Sequence, residues 1–194
     1  MSSIGFYDRN AEDFFQRTLN ADMALGYAAF LALVPPGGHI LDAGCGSGRD
    51  SLAFLKLGFE VTAMEASETL AALARAHTGL PIEVLTFDQI TWIDTFEGVW
   101  ACASLLHVPR VDLPNAIGRL RDALVPRGIL WMSFKYGTEE RQVGDLRFTD
   151  MDEDGARLVT AISGLNLISM QDSADLRPDR PGERWLSIMC RKSA

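Results

Sequence analysis

Short apolar runs alternate along the chain with segments whose apolar residues recur every three or four positions. Buried strands of a parallel sheet need the first pattern and amphipathic helices the second, so the alternation predicts βαβ units. A helical region over 11–34 stops at Pro35-Pro36-Gly37-Gly38, and a first strand follows at His39–Ala43. A glycine-rich loop then leads into a helix at about 49–57, with Leu52 and Leu55 on one face and Gly58 ending it. A second strand is predicted at Phe59–Met64, and after it a helix from a Ser67 cap to about His77, with Leu70, Leu73 and Ala74 turned inward. Gly79 and Pro81 introduce a third strand, Ile82–Thr86, and a fourth covers about 98–103. Asp112 caps a helix bearing Leu113, Ile117, Leu120 and Leu124, and Pro126 and Gly128 end it before a fifth strand, Ile129–Lys135.

The pattern then changes. Residues 136–150, YGTEERQVGDLRFTD, are polar and aperiodic and read as an irregular insertion. A helix at about 151–163, a strand at 165–173, a loop DLRPDRPGE and a last strand at 185–191 complete the chain. Strands joined by so short a link run antiparallel. The expectation is one α/β domain: a doubly wound, mostly parallel sheet closed by an antiparallel C-terminal hairpin, with helices on both faces.

Composition narrows the function. At 194 residues with 47% hydrophobic and 23% charged positions, the chain suits one globular domain. Its apolar runs are too short to span a bilayer and its first residues lack a secretion-signal pattern, so the cytoplasm is the expected location. Cys45, Cys102 and Cys190 are scattered, as are the three histidines, so neither a disulfide nor a metal site is expected. A net charge of −8 opposes binding to a nucleic-acid backbone.

The loop itself, ILDAGCGSGRDS, places Gly44, Gly46 and Gly48 at alternate positions behind Asp42. The dinucleotide fingerprint G-x-G-x-x-G would require glycine where Arg49 stands, and Asp42 would face the pyrophosphate that such a loop attracts. A carboxylate there suits a positively charged ligand group. Glu65, at the end of the second strand, can accept from both hydroxyls of a ribose, and Asp88 from an adenine amino group with Phe87 or Ile90 against the ring. An ammonium, a ribose and an adenine without phosphate are the parts of S-adenosylmethionine.

LDAGCGSGRDSLAFLKLGFEVTAMEAS, EGVWACASLLHVP and VPRGILWMSFKYG resemble the first motif and the second, fourth and fifth strands of class I S-adenosylmethionine-dependent methyltransferases. The resemblance covers roughly residues 35–136, and GRDSLAFLKLGFEVTA is similar to small bacterial tellurite-resistance and thiopurine methyltransferases. It implies a Rossmann-like, seven-stranded sheet and methyl transfer from S-adenosylmethionine, leaving S-adenosylhomocysteine. It further implies that Gly44, Cys45, Gly46 and Gly48 lie against the methionine part of the cofactor, with Asp42 near its ammonium. Glu65 would hold the ribose, Ala66 and Phe87 flank the adenine, Asp88 meet its amino group, and the Ala103 carbonyl receive the ammonium. Glu65 departs from the aspartate more frequent there.

The acceptor is expected to be a small molecule lying over the fourth and fifth strands. His107 is the candidate base, or else a loop histidine that shapes the site. Tyr7 in the N-terminal helical cap (1–34), and Tyr136, Arg141 and Arg147 in the insertion (136–150), are the candidate acceptor contacts. A DNA amino-methyltransferase would carry an (Asp/Asn)-Pro-Pro-(Tyr/Phe) element where this chain has CASLLHVP. A protein or RNA acceptor, a cofactor-binding module without catalysis, and an NAD-dependent oxidoreductase are the alternatives, and the chain is expected to act as a monomer or homodimer.

Overall fold

The computed structural model describes residues 2–175 and 182–194; most of the DLRPDRPGE loop lies outside them. In chain order the helices are α1 (Ser3–Arg9), α2 (Ala11–Thr18), α3 (Ala24–Leu31), α4 (Arg49–Lys56), α5 (Glu68–Thr78), α6 (Leu113–Ala123) and α7 (Glu153–Ile162). The strands are β1 (His39–Ala43), β2 (Glu60–Glu65), β3 (Glu83–Val84), β4 (Phe96–Ala101), β5 (Leu124–Lys135), β6 (Glu140–Val143), β7 (Leu146–Thr149), β8 (Leu165–Ala174) and β9 (Arg184–Lys192). Seven of them form one sheet in the order β3-β2-β1-β4-β5-β9-β8. It is parallel except for β9, which pairs antiparallel with both neighbours. This is the expected Rossmann-like fold. The winding reverses between β1 and β4, so a crevice opens beyond the carboxyl ends of those two strands.

Alternate residues of each strand feed two cores. On one face Leu41, Val99, Leu130, Met132, Phe134 and Ile188 pack against buried residues of α6 and α7. On the other, Ile40, Trp100 and Trp131 meet Phe30 of α3 and Phe54 of α4, with the two indoles stacked at 3.8 Å. The buried side of α4 is Asp50, Ser51 and Phe54; Leu52 and Leu55 are only half-buried.

Several boundaries differ from the sequence pattern for local reasons. The expected 11–34 helix is broken where Asp22 Oδ1 accepts from the Ala24 amide at 2.9 Å, and α1 precedes it. Asp112 occupies the cap position of α6 without a side-chain bond, Pro114 favouring the first turn instead. β5 begins at Leu124, paired with Phe96, before a register shift carries it past Pro126 to Ile129. β3 keeps only two paired residues. The 136–150 segment is an antiparallel hairpin, β6–β7, rather than irregular chain. Its two-residue turn opens on Gly144 at φ 59°, the backbone that such tight turns favour.

Gly48 joins the loop to the helices. It has φ 76°, and a Cβ there would lie 2.6 Å from Thr78 Cγ2 on α5. Gly58 has φ 87° with no neighbour within 4 Å. Gly58→Ala should therefore cost only the left-handed backbone penalty, about 1–2 kcal/mol. Gly48→Ala should cost about 1–3 kcal/mol more through overpacking. Urea unfolding of both variants tests the difference; equal losses would contradict the packing role.

Candidate active site

One cavity of about 920 Å³ opens at the switch point, at the large end for small-molecule sites. Its walls include the glycine loop, the ends of β2, β4 and β5, the helices α1 and α2, and the β6–β7 hairpin. The loop is held by its own backbone: the Gly44 and Cys45 amides both donate to the Met64 carbonyl at 2.9 Å. Ser104 Oγ donates to the Ala43 carbonyl at 2.7 Å, and a Cβ on Gly44 would fall 2.5 Å from Ser104 Cβ. Gly44 therefore serves the approach of two loops, whereas Gly46, with φ 56°, faces the cavity beside Phe14.

Glu65 is 8% exposed on the cavity wall. Its oxygens accept from the Gly46 and Ser67 amides, each at 3.0 Å. Burial pushes its pKa up, and the amides of Ser67, Gly46 and Ala66 act against that rise. Cys45, Ala66, Phe87, Asp88 and Ala103 all line the same cavity. Cys45 is a buried thiol held well above its ordinary pKa by burial and the surrounding carboxylates. Asp88 is exposed and accepts from Thr86 Oγ1. Ala103 takes φ 51°, unusual for a residue with a side chain, and its amide donates to Ser133 Oγ at 2.9 Å.

Asp42 is a correction. It is 1% exposed beneath the loop, accepts from Ser51 Oγ at 2.6 Å, and is absent from the cavity wall. Burial, then the neighbouring Asp50 charge, raises its pKa to about 8. Of these two aspartates, Asp50 is the one on the wall. It accepts from Trp100 Nε1 at 2.8 Å, from the Tyr27 hydroxyl, and from Arg49 through Nε at 2.6 Å and a second nitrogen at 2.8 Å.

At the other end of the cavity, His107 Nδ1 lies 2.7 Å from the Arg147 carbonyl and Nε2 2.8 Å from the Tyr7 hydroxyl. A carbonyl only accepts, so Nδ1 carries the proton and Nε2 accepts from Tyr7. Burial depresses the His107 pKa to about 4 against the opposing pull of that carbonyl. The ring is neutral near pH 7, and its acceptor nitrogen is already engaged.

The insertion residues divide. Arg147 lines the cavity, but its guanidinium pairs with Glu140. Arg141 is bound to Asp150 at 2.7 Å and Tyr136 donates to Glu153 at 2.8 Å; neither lies on the wall. The wall carries Phe148 of the insertion and, beyond the residues expected from the sequence, Phe14, Ser133, Lys135, Trp185 and Ser187. Lys135 and Trp185 are register partners, as are Ser133 and Ser187. The signal was in the strands: Ser133 and Lys135 alternate with Met132 and Phe134, placing polar groups on one face of β5. Among the described residues no cluster of His, Cys, Asp and Glu could hold a metal ion, and no helix is long and apolar enough to cross a membrane.

An α/β domain with a glycine loop after β1, an acid ending β2 and a cavity at the switch point is built for an adenosine ligand. Residues 40–128 match the methyltransferase-domain family model. The chain is 30% identical over 147 residues to the methyltransferase-like protein YqeM of Bacillus subtilis, across 72% of this chain and 60% of that one. It is 35% identical over 115 residues to a ubiquinone biosynthesis O-methyltransferase of Xanthomonas campestris, across 55% of this chain and 46% of that one. It thus spans about half the length of these curated relatives. The 1,6-didemethyltoxoflavin-N1-methyltransferase of Burkholderia thailandensis, solved with S-adenosylhomocysteine, superposes with a TM-score of 0.81 at 20% identity, covering 98% of this chain and 87% of that chain. That likeness is one of fold. In fold, and in the sequence of its glycine-loop half, the chain is of the class I S-adenosylmethionine-dependent methyltransferase type.

The half-buried, neutral His107 makes stability depend on acid. Its folded pKa lies below the unfolded value of about 6.5, so between those values the unfolded chain binds more protons. The stability that it contributes is complete above about pH 6.5 and is lost as pH falls toward 4. Wild type should lose about 3 kcal/mol more than His107→Gln over that interval, measured by urea unfolding. Parallel pH profiles would show that the ring is not held neutral. The raised carboxylates Asp42 and Glu65 act in the opposite direction in both proteins and cancel in the comparison.

Proposed function

We propose that the chain binds S-adenosylmethionine in the 920 Å³ cavity and transfers its methyl group to a small-molecule acceptor. The observation that carries this reading is Glu65 at the end of β2, 8% exposed on the cavity wall beside the glycine loop, with Phe87 and Asp88 on the same wall. The backbone at Gly46, bare of a Cβ, leaves room for close approach on the cavity side. In this reading Glu65 receives the ribose hydroxyls, and Phe87 and Asp88 meet the adenine. Asp42, its pKa raised to about 8, serves the site only by fixing α4 through Ser51.

Bound there, S-adenosylmethionine supplies an electrophilic methyl group on a sulfonium. The residues past β4 hold the acceptor in line and exclude water, and that alignment accounts for much of the rate. His107 is a positioning residue in this scheme: its ring fixes Tyr7 at one end and the hairpin at the other. The cavity is enclosed by α1, α2 and the hairpin, which suits a small acceptor better than a macromolecular one.

Thermal unfolding with S-adenosylmethionine, S-adenosylhomocysteine and NAD tests the cofactor. At a hundred times its dissociation constant the correct ligand adds about 2.7 kcal/mol, or roughly 5–10 °C for a chain of this size. A shift with NAD alone would replace this reading by the oxidoreductase one. Glu65→Gln should weaken the S-adenosylmethionine complex by about 5- to 150-fold; an unchanged affinity would remove the ribose assignment. Label passing to no small acceptor, with binding intact, would leave a cofactor-binding module.

A further inference from the structure

The far end of the cavity holds a buried cation between aromatic rings. Lys135, 7% exposed, lines the wall at the carboxyl end of β5. Its Nζ stands 5.0 Å from the centroid of Phe148 and 5.8 Å from that of Trp185. Its ammonium forms an ion pair with the Glu183 carboxylate, which takes one of its three donors and leaves the others for a ligand. Trp185 is fixed by its Nε1 bond to Asp175 at 2.9 Å, and Phe148 by the His107 ring at 5.4 Å. The polar floor continues inward through Ser133, whose hydroxyl accepts from the Ala103 amide beside the glycine loop.

We propose that this end of the cavity takes a planar aromatic acceptor carrying an acidic hydroxyl, a phenol or enol, with Lys135 as the residue that selects it. The inference rests on the methyl-transfer reading and names its acceptor class. Flat rings pack against the faces and edges of Phe148 and Trp185 at small entropic cost. A cationic acceptor would meet the Lys135 ammonium in a dry pocket, whereas an ionising hydroxyl gains a charge-assisted hydrogen bond there. The hydroxyl loses its proton to solvent on binding beside Lys135, which keeps its own. An oxygen lone pair then forms the O–C bond as the C–S bond breaks, and that electron pair remains on the sulfur, now a neutral thioether.

The test uses 4-nitrophenol, whose anion is coloured, titrated on the protein saturated with S-adenosylhomocysteine. In wild type and Lys135→Arg the pH midpoint of the bound probe should lie below that of the free probe. It should lie about 1–3 pH units below that of the probe bound to Lys135→Met. Affinity for S-adenosylhomocysteine, read by thermal shift, should be the same in all three. A midpoint in wild type at or above that of free probe, coincident midpoints across the variants, or no binding of the probe would each overturn the proposal. So would displacement of the probe by benzylamine at lower concentration than by benzoate. The wild-type midpoint decides the matter alone if Lys135→Met does not fold. Loss of S-adenosylhomocysteine binding on changing Lys135 would place the lysine in the cofactor site and sink the acceptor assignment. Absence of any S-adenosylhomocysteine shift in wild type would instead remove the methyl-transfer reading itself.

Discussion

A buried carboxylate must be paired or it opposes folding, and the Asp50 carboxylate at the start of α4 is paired from three directions. Trp100 reaches it from the sheet, Tyr27 from α3 and Arg49 from its own helix. Arg49 also donates to the Thr18 carbonyl at the end of α2 at 3.3 Å. One charge thus fastens the N-terminal helices to the sheet beside the glycine loop. The cavity exists because those helices are held at that distance: they roof the crevice that the sheet topology opens, without filling it.

The N-terminal segment is tied a second time, at the hairpin. Arg9 pairs with Asp145, Ser3 Oγ accepts from the Arg147 amide at 3.1 Å, and Tyr7 bonds His107. Asp8 accepts from Ser67 Oγ at 2.6 Å and so joins α1 to the start of α5. Most of these contacts are polar, and the Arg9–Asp145 pair is half exposed, so each is worth little alone. Together they close the end of the cavity distant from the loop. The His107 ring belongs to this closure, which explains why burial rather than a charged partner dominates its ionisation.

Charge divides the cavity. Carboxylates crowd the glycine-loop end, and a lysine between aromatic rings stands at the other. In the proposed reading the cofactor lies at the first end and the acceptor at the second. The unusual backbone of Ala103 is consistent with a turn fixed by what the site requires, since Ser133 holds its amide from the neighbouring strand.

The sequence by itself determined the sheet and the loop. Buried parallel strands must be apolar and short, helices must repeat their apolar positions, and a loop with positive φ at alternate positions must be glycine; each of these is a local demand, visible in a few consecutive residues. Glu65, Ala66, Phe87, Asp88 and Ala103 were legible for the same reason, because in this topology the ends of consecutive strands gather at one crevice. The hairpin at 140–149 was not, since its residues alternate too weakly to mark a strand and its pairing depends on the partner. Nor could the sequence say that Asp42 turns inward to Ser51 while Asp50 faces the cavity, or that Arg141 pairs with Asp150 away from the wall while Lys135, paired with Glu183, lies on it. Which charge is free to meet a ligand depends on which others have been neutralised, and those partners come from strands and helices distant in the chain. Only the tertiary structure decides that.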